Sequence, residues 1–319
     1  MILCTDNECR FVEADLSRLQ DVCRVRVSDS NSIPALLALV VDAEVLVASC
    51  FAQVPAGLID AGRQLRGVVK YGVGVDNIDL LAAKKRGIPV ANCPDYGSGT
   101  VADHAFALLI ALARRLTLQD AEFRNHGWYW PDERYCGVDL EGKTLGIIGL
   151  GRIGRKMARR AAGFDMQVIA YDPYVDVNSV EVDSCRMRSA TLDELLTSSD
   201  FVSVHCVLTP ETQRLLGEKE LRAMKPSAYL IDVSRGAIID ELALIRALRE
   251  GWIAGAGLDV FFSEPLPAKH PLLSMLNVVV TPHLAWYTSE AAARQSQQAA
   301  DAVLDILAGR RPRSIVNGV

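Results

Sequence analysis

The sequence predicts an α/β fold built from two doubly wound parallel-sheet domains, and three observations carry that reading. Short apolar runs alternate with helical patterns along the whole chain, the signature of parallel strands joined by covering helices. A glycine turn, Gly149-Leu150-Gly151-Arg152-Ile153-Gly154, follows the apolar run Thr144–Ile148 and opens a helical pattern around Met157–Ala162. About 150 residues precede that turn, room for a complete domain ahead of it.

In order, Met1–Leu3, Arg24–Val27, Val45–Ala48, Val68–Tyr71 and Ile88–Val90 read as strands, and Pro34–Val41 and Ile78–Arg86 as helices. Thr100 reads as the N-cap of a long apolar helix, with Asp103 in its first turn. Ala107, Leu108, Ile110, Ala111 and Leu112 leave that helix little polar face, so it is expected to be buried within the fold or against another subunit. An aromatic loop follows, Trp128-Tyr129-Trp130-Pro131, for packing at an interface or contact with a neighbouring site. After the glycine turn, Val168–Tyr171 forms a second strand ending in Asp172. Four more strands are expected at Phe201–Cys206, Ala228–Val233, Gly255–Val260 and Val278–Thr281. Thr191 with Glu194 reads as a capping box, Asp240 and Gly251 as the two ends of one helix, and Ser289–Leu307 as a final amphipathic helix.

Strand, glycine turn, helix, strand, acid is a dinucleotide-binding unit. Glycines let the backbone approach a pyrophosphate, the helix N-terminus offers N–H groups, and an acid about 20 residues on accepts from a ribose. Gly149, Gly151, Arg152, Ile153, Gly154 and Asp172 are the candidates. A carboxylate at Asp172 repels a 2′-phosphate and so favours NAD over NADP.

The bulk numbers exclude several classes. Half of the 319 residues are hydrophobic and the net charge is −5, so neither disorder nor a nucleic-acid surface is expected. The short Arg310-Arg311-Pro312-Arg313 cluster reads as a solvated tail. No stretch is apolar enough for a membrane span, and the first residues lack the pattern of a signal peptide. Eight cysteines without a C-x-x-C pair point to a reducing, cytoplasmic setting. No metal-ligand spacing is visible.

Three residues fall at or just beyond predicted strand ends, the edge where parallel sheets bind ligands. Arg235 can clamp a carboxylate, His283 can move a proton at neutral pH, and Glu264 can orient and stabilise its imidazolium. Singly, they read as a surface ion-pair residue, a core histidine and a turn cap. Together at one edge they read as a catalytic set.

These motifs, with Gly72-Val73-Gly74-Val75-Asp76-Asn77-Ile78-Asp79 and Val101-Ala102-Asp103-His104, resemble the D-isomer-specific 2-hydroxyacid dehydrogenases along essentially the whole chain. His283–Tyr287 and Tyr171–Tyr174 look most like the C-terminal-binding-protein branch; phosphoglycerate and hydroxypyruvate/glyoxylate reductases are the other near relatives. The resemblance implies a flavodoxin-like substrate domain from residues 1–99 plus 287–319, and a Rossmann NAD-binding domain over 100–286. It implies hydride transfer between NAD and a 2-oxo/2-hydroxy acid of D configuration, with His283 as acid–base, Glu264 as its partner and Arg235 on carboxylate and carbonyl. Cys206, Thr212, Val233, Ser234, Asp259 and Ala285 would line the cofactor, Asp259 toward the nicotinamide; for Cys206, plain strand packing is the alternative. The N–H groups of Gly72, Val73 and Gly74 would meet the substrate carboxylate. Lys70 would meet an anionic tail, or be a solvated strand end. Trp286 would narrow the pocket, which weighs against 3-phosphoglycerate.

The resemblance also implies a homodimer through the nucleotide domain. It leaves a second reading, a dinucleotide-gated corepressor that binds short peptides. An allosteric serine-biosynthetic enzyme is disfavoured, since no room is expected for a regulatory module.

Overall fold

The computed structural model describes residues 1–182 and 185–319. The chain begins with β1 (Ile2–Cys4), α1 (Glu13–Gln20), β2 (Val25–Val27), α2 (Ile33–Val40), β3 (Val45–Ala48), α3 (Ala56–Ala61), β4 (Gly67–Lys70), α4 (Leu80–Lys85) and β5 (Val90–Ala91). There follow α5 (Ser98–Ala113), α6 (Leu116–His126), β6 (Thr144–Ile148), α7 (Arg152–Ala162), β7 (Gln167–Tyr171), β8 (Met187–Ser189), α8 (Leu192–Ser198), β9 (Phe201–Val204), α9 (Glu218–Ala223), β10 (Tyr229–Asp232), α10 (Glu241–Glu250), β11 (Gly255–Leu258), β12 (Val278–Val280) and α11 (Ser289–Leu307). They gather into two compact units, residues 1–97 with 287–319, and residues 98–286.

The first unit holds a sheet of order β2-β1-β3-β4-β5, with every pairing parallel. β1, β3 and β4 are buried at every position, as strands covered on both faces must be. Leu36, Leu58, Ile59 and Ala83 of the helices α2 to α4 share one core with Leu46 and Val68 of the sheet. α11 packs on α1, β3 and β4. Its seat on β4 is close: a Cβ on Gly67 would lie 2.5 Å from Ile306 Cδ1. α1 has no predicted counterpart because only Asp15 and Leu19 of its eight residues are buried, too few for a visible period. β5 starts at Val90, after Pro89, which cannot donate to a ladder.

The second unit has sheet order β12-β11-β10-β9-β6-β7-β8, again all parallel. The order reverses between β6 and β9, and that switch point is where doubly wound sheets take ligands. α5 packs on α7 and on β10, β11 and β12, so its apolar circumference is used inside its own unit. Its start corrects the expected cap at Thr100. The helix begins at Ser98, with Thr100 inside the first turn. Arg160 of α7 donates to Gly99 O at 3.0 Å and to Asp103 Oδ1 at 2.7 Å. Arg160 thus ties the first turn of α5 to α7 through a backbone carbonyl and a carboxylate, and the two units divide between residues 97 and 98. At α10 the local reading stands: Asp240 accepts from Ala243 N, and Gly251 closes the helix at φ 71°.

Candidate active site

β6 delivers the chain to Gly149 at φ 94°, a conformation side chains resist. A Cβ there would also sit 2.5 Å from Cys206 N in the loop after β9. One on Gly154 would collide with the Gly149 carbonyl oxygen, so α7 leaves the sheet at glycine-only distance. Gly151 faces open space within 4 Å of its would-be Cβ. No side chain caps α7, which starts at Arg152. An open glycine before an uncapped N-terminus is the shape a pyrophosphate requires, so the residues present fit a dinucleotide.

Asp172, just past β7, accepts from Leu150 N through Oδ2 at 2.8 Å and from Tyr174 N through Oδ1 at 2.9 Å. It therefore fastens the glycine turn to the next strand end, and each oxygen keeps acceptor capacity for a ribose hydroxyl. Thr212 folds its own loop, accepting from Thr209 N and donating to Val207 O, both at 2.7 Å. Burial, with the negative charges of Asp232 and Asp172, pushes the Cys206 thiol up to about 12, so it stays neutral. Val233 and Ala285 are buried.

Because all strands are parallel, the segments after β10, β11 and β12 leave the same sheet edge, and this brings the three candidate side chains into range. His283 Nδ1 lies 2.6 Å from Glu264 Oε2, and Glu264 Oε1 accepts from Phe261 N at 3.0 Å. Burial works to raise the Glu264 carboxyl. The hydrogen bond and charge of His283, the Phe261 N–H and the Arg235 charge outweigh it and hold the group below the usual range. Glu264 is thus the carboxylate that a protonated imidazole needs, and it engages the ring through Nδ1. Arg235 donates through Nη1 to Ser234 O at 2.8 Å.

Fully buried Asp259 organises this edge. It accepts from Thr281 Oγ1 at 2.6 Å, Leu284 N at 2.9 Å and Ala285 N at 2.8 Å. Its backbone carbonyl takes the N–H of His283 at 2.8 Å. His283 is held at φ 56°, which costs about 1 kcal/mol or more, and these bonds around it offset that cost. His104 of α5 adds a brace, with Nε2 2.8 Å from Thr281 Oγ1. Since that hydroxyl gives its proton to Asp259, His104 is the donor. Neither the bracing by His104 and Thr281 nor the burial of Asp232, at the end of β10, has a signal in spacing or residue type.

In the first unit, β4 ends at Lys70 and the chain turns through Gly72 at φ 147°. Lys70 is not the solvated strand end that was one of its two readings. It is 1% exposed, and its ammonium donates to Ser49 O at 2.8 Å and Asn77 Oδ1 at 2.9 Å. Asn77 in turn donates to Ser49 O at 2.9 Å and Ala52 O at 2.5 Å, and Asn92 donates to Val73 O at 2.7 Å. A buried cation thus stands behind the turn, while Val73, 43% exposed, lies at the surface of its unit. Trp286 is half-buried at the end of the second unit. Among the described residues no cluster of metal-ligating side chains forms, and no helix is long and apolar enough to cross a membrane.

Comparison with known proteins completes the picture. Residues 106–285 match the family profile described as D-isomer specific 2-hydroxyacid dehydrogenase, NAD binding domain. A glyoxylate reductase of Korarchaeum cryptofilum is 43% identical over 92% of this chain and 84% of its own. A D-3-phosphoglycerate dehydrogenase of Mycobacterium leprae is 38% identical over 97% of this chain and 57% of its own. Among solved structures, a D-lactate dehydrogenase from Aquifex aeolicus complexed with NAD and lactic acid superposes with a TM-score of 0.88. It is 27% identical and covers 100% of this chain and 99% of its own.

Proposed function

The chain belongs to the D-isomer specific 2-hydroxyacid dehydrogenase family, and we propose that it interconverts a small D-2-hydroxy acid and its 2-oxo acid through His283, Glu264 and Arg235. The observation that carries this is the 2.6 Å contact between His283 and Glu264 at the sheet edge that also presents Arg235. The cofactor is NAD, which when bound supplies or accepts the hydride.

Gly149, Gly151 and Gly154, with the N–H groups of Arg152 and Ile153, hold the pyrophosphate, and Asp172 accepts from the ribose. Asp172 also disfavours a 2′-phosphate. Arg235 binds the substrate carboxylate and polarises the carbonyl. For reduction, His283 enters protonated and gives its Nε2 proton to the developing alkoxide, while Glu264 on Nδ1 stabilises the imidazolium. For oxidation His283 enters neutral and takes the hydroxyl proton. Reduction therefore slows and oxidation quickens as pH rises. In the first unit, the Gly72–Gly74 turn offers N–H groups to a carboxylate, with Lys70 behind it as a source of positive potential rather than a direct ligand.

The corepressor reading is not favoured: the relatives above are reductases and dehydrogenases. For assembly we propose a homodimer through the second unit. α6 buries none of its residues, and its exposed Phe123 meets Trp128 edge to face, as Trp128 meets Trp130. A second subunit would cover this exposed aromatic cluster. A screen of 2-oxo acids from glyoxylate to branched and aromatic members, run with NADH and NADPH, tests the reading. Turnover of a small 2-oxo acid with NADH preferred is expected. No turnover of any member sinks the reaction, and equal kcat/KM with both cofactors sinks the role of Asp172. A monomer in sedimentation would sink the dimer.

A further inference from the structure

Asp232 is fully buried at the last position of β10 and is hydrogen-bonded on one side only. Oδ1 accepts from Ser234 N at 2.8 Å and from Ser234 Oγ at 2.6 Å. Oδ2 is equally buried and has no partner. The two bonds to Oδ1 fold Ser234 back over the strand end, and Arg235 Nη1 closes the turn on Ser234 O. Asp232 thereby sets the peptide from which the Arg235 side chain departs.

We propose that Asp232 is a positioning residue for Arg235, and that a proton exchanging on its bare Oδ2 tunes the charge with which Arg235 meets an anionic substrate. The inference rests on the dehydrogenase reading, because Arg235 is the group it acts through.

A buried carboxylate with one oxygen lacking a donor is costly to ionise. The proton belongs on Oδ2, since both donors of the turn point at Oδ1. Burial, reinforced by the charge of Asp259 beyond β11, pushes Asp232 up to about 7 against the pull of the Ser234 donors and Arg235. The groups around it are Cys206 from the β9 side, held neutral, Asp259 from the β11 side, Arg235 from its own turn, and Glu241 of α10, which lines the same small cavity. Near neutral pH Asp232 thus alternates between a neutral acid and a carboxylate beside Arg235, which also faces the charge of Glu264. Below that point Asp232 offsets none of the guanidinium's field, and an anion binds more tightly. Above it, Asp232 cancels part of that field.

The test is oxalate, an inert dicarboxylate shaped like a 2-oxo acid, titrated calorimetrically into the NADH-loaded protein between about pH 6 and about pH 8. Wild type should lose affinity with rising pH as Asp232 ionises. Asp232→Asn, neutral throughout, should lose that contribution, flattening the fall by roughly threefold. Ser234→Ala removes a donor that favours the ionised form, and should move the Asp232 step to higher pH. An infrared difference spectrum needs no ligand: a carboxylic-acid C=O band should titrate near neutral pH in wild type and be missing in Asp232→Asn. The same pH dependence in wild type and Asp232→Asn, or no such band, overturns the inference alone. A titrating band in a protein that binds no oxalate at any pH overturns the dehydrogenase reading, and this inference with it.

Discussion

Gly72 and Gly149 each follow a buried strand of a parallel sheet, yet the two turns proposed as anion sites are built by different means. Gly149 feeds directly into α7, so the helix N-terminus supplies the donors and the dipole, and Asp172 ties the turn to the next strand. After Gly72 no helix begins until Leu80. That turn is instead held from behind by Lys70, Asn77 and Ser49, and from the side by Asn92. One turn is organised by secondary structure and the other by a buried polar network. A parallel sheet therefore offers an edge, and what stands behind each turn decides the chemistry placed there.

If the sheet edge of the second unit is the reacting one, the largest loss should come from it. His283→Ala removes the proton donor and should lower kcat by about 100- to 10,000-fold with the fold intact. Turnover close to wild type in a stopped-flow assay would end its role as acid–base. Asp259→Asn comes next. Its carboxylate takes three donors around His283, and an amide replaces one accepting oxygen with a donor. A misplaced imidazole should cost about 100-fold in kcat and leave NADH affinity, read by fluorescence, nearly unchanged. A loss confined to NADH affinity would instead favour direct contact between Asp259 and the nicotinamide.

The smallest effect belongs to the other turn. Lys70→Met keeps the length of the side chain but leaves Ser49 O and Asn77 Oδ1 each short of one donor. Stability should fall by about 2–3 kcal/mol, and KM for the 2-oxo acid should rise several-fold, more than kcat falls. Chemical denaturation with steady-state kinetics reads both. An unchanged melt and KM would mean that the network behind Gly72 is dispensable, and the contrast between the two turns would dissolve.

Where a signal is local, the sequence shows it. Apolar runs located every strand of the two sheets but β8, most directly the buried ones, because strands buried on both faces must be apolar throughout. Asp240 and Gly251 marked the ends of α10, since each acts on neighbours within a turn. Where a partner is distant, the signal fails. Thr100 looked like a cap, but Arg160 of another helix holds the start of α5. Lys70 looked accessible as a cation, but its partners come from Ser49 and Asn77, 21 and 7 residues away. α1 and β8 are short and half exposed, with too few buried positions to produce a period.

By itself the sequence determined the α/β class, the dinucleotide unit from Gly149 to Asp172, and the kinds of side chain available for acid–base chemistry, for these depend on residue type and on intervals of a few residues. The tertiary structure alone decided that His283 meets Glu264 across 19 residues at 2.6 Å, that Asp259 is spent on holding the segment around His283, and that Asp232 is left with one bare oxygen. Those outcomes follow from which strands lie side by side and how deeply their ends are buried. Strand order is a long-range choice, made by packing the whole sheet, and no short stretch of sequence records it.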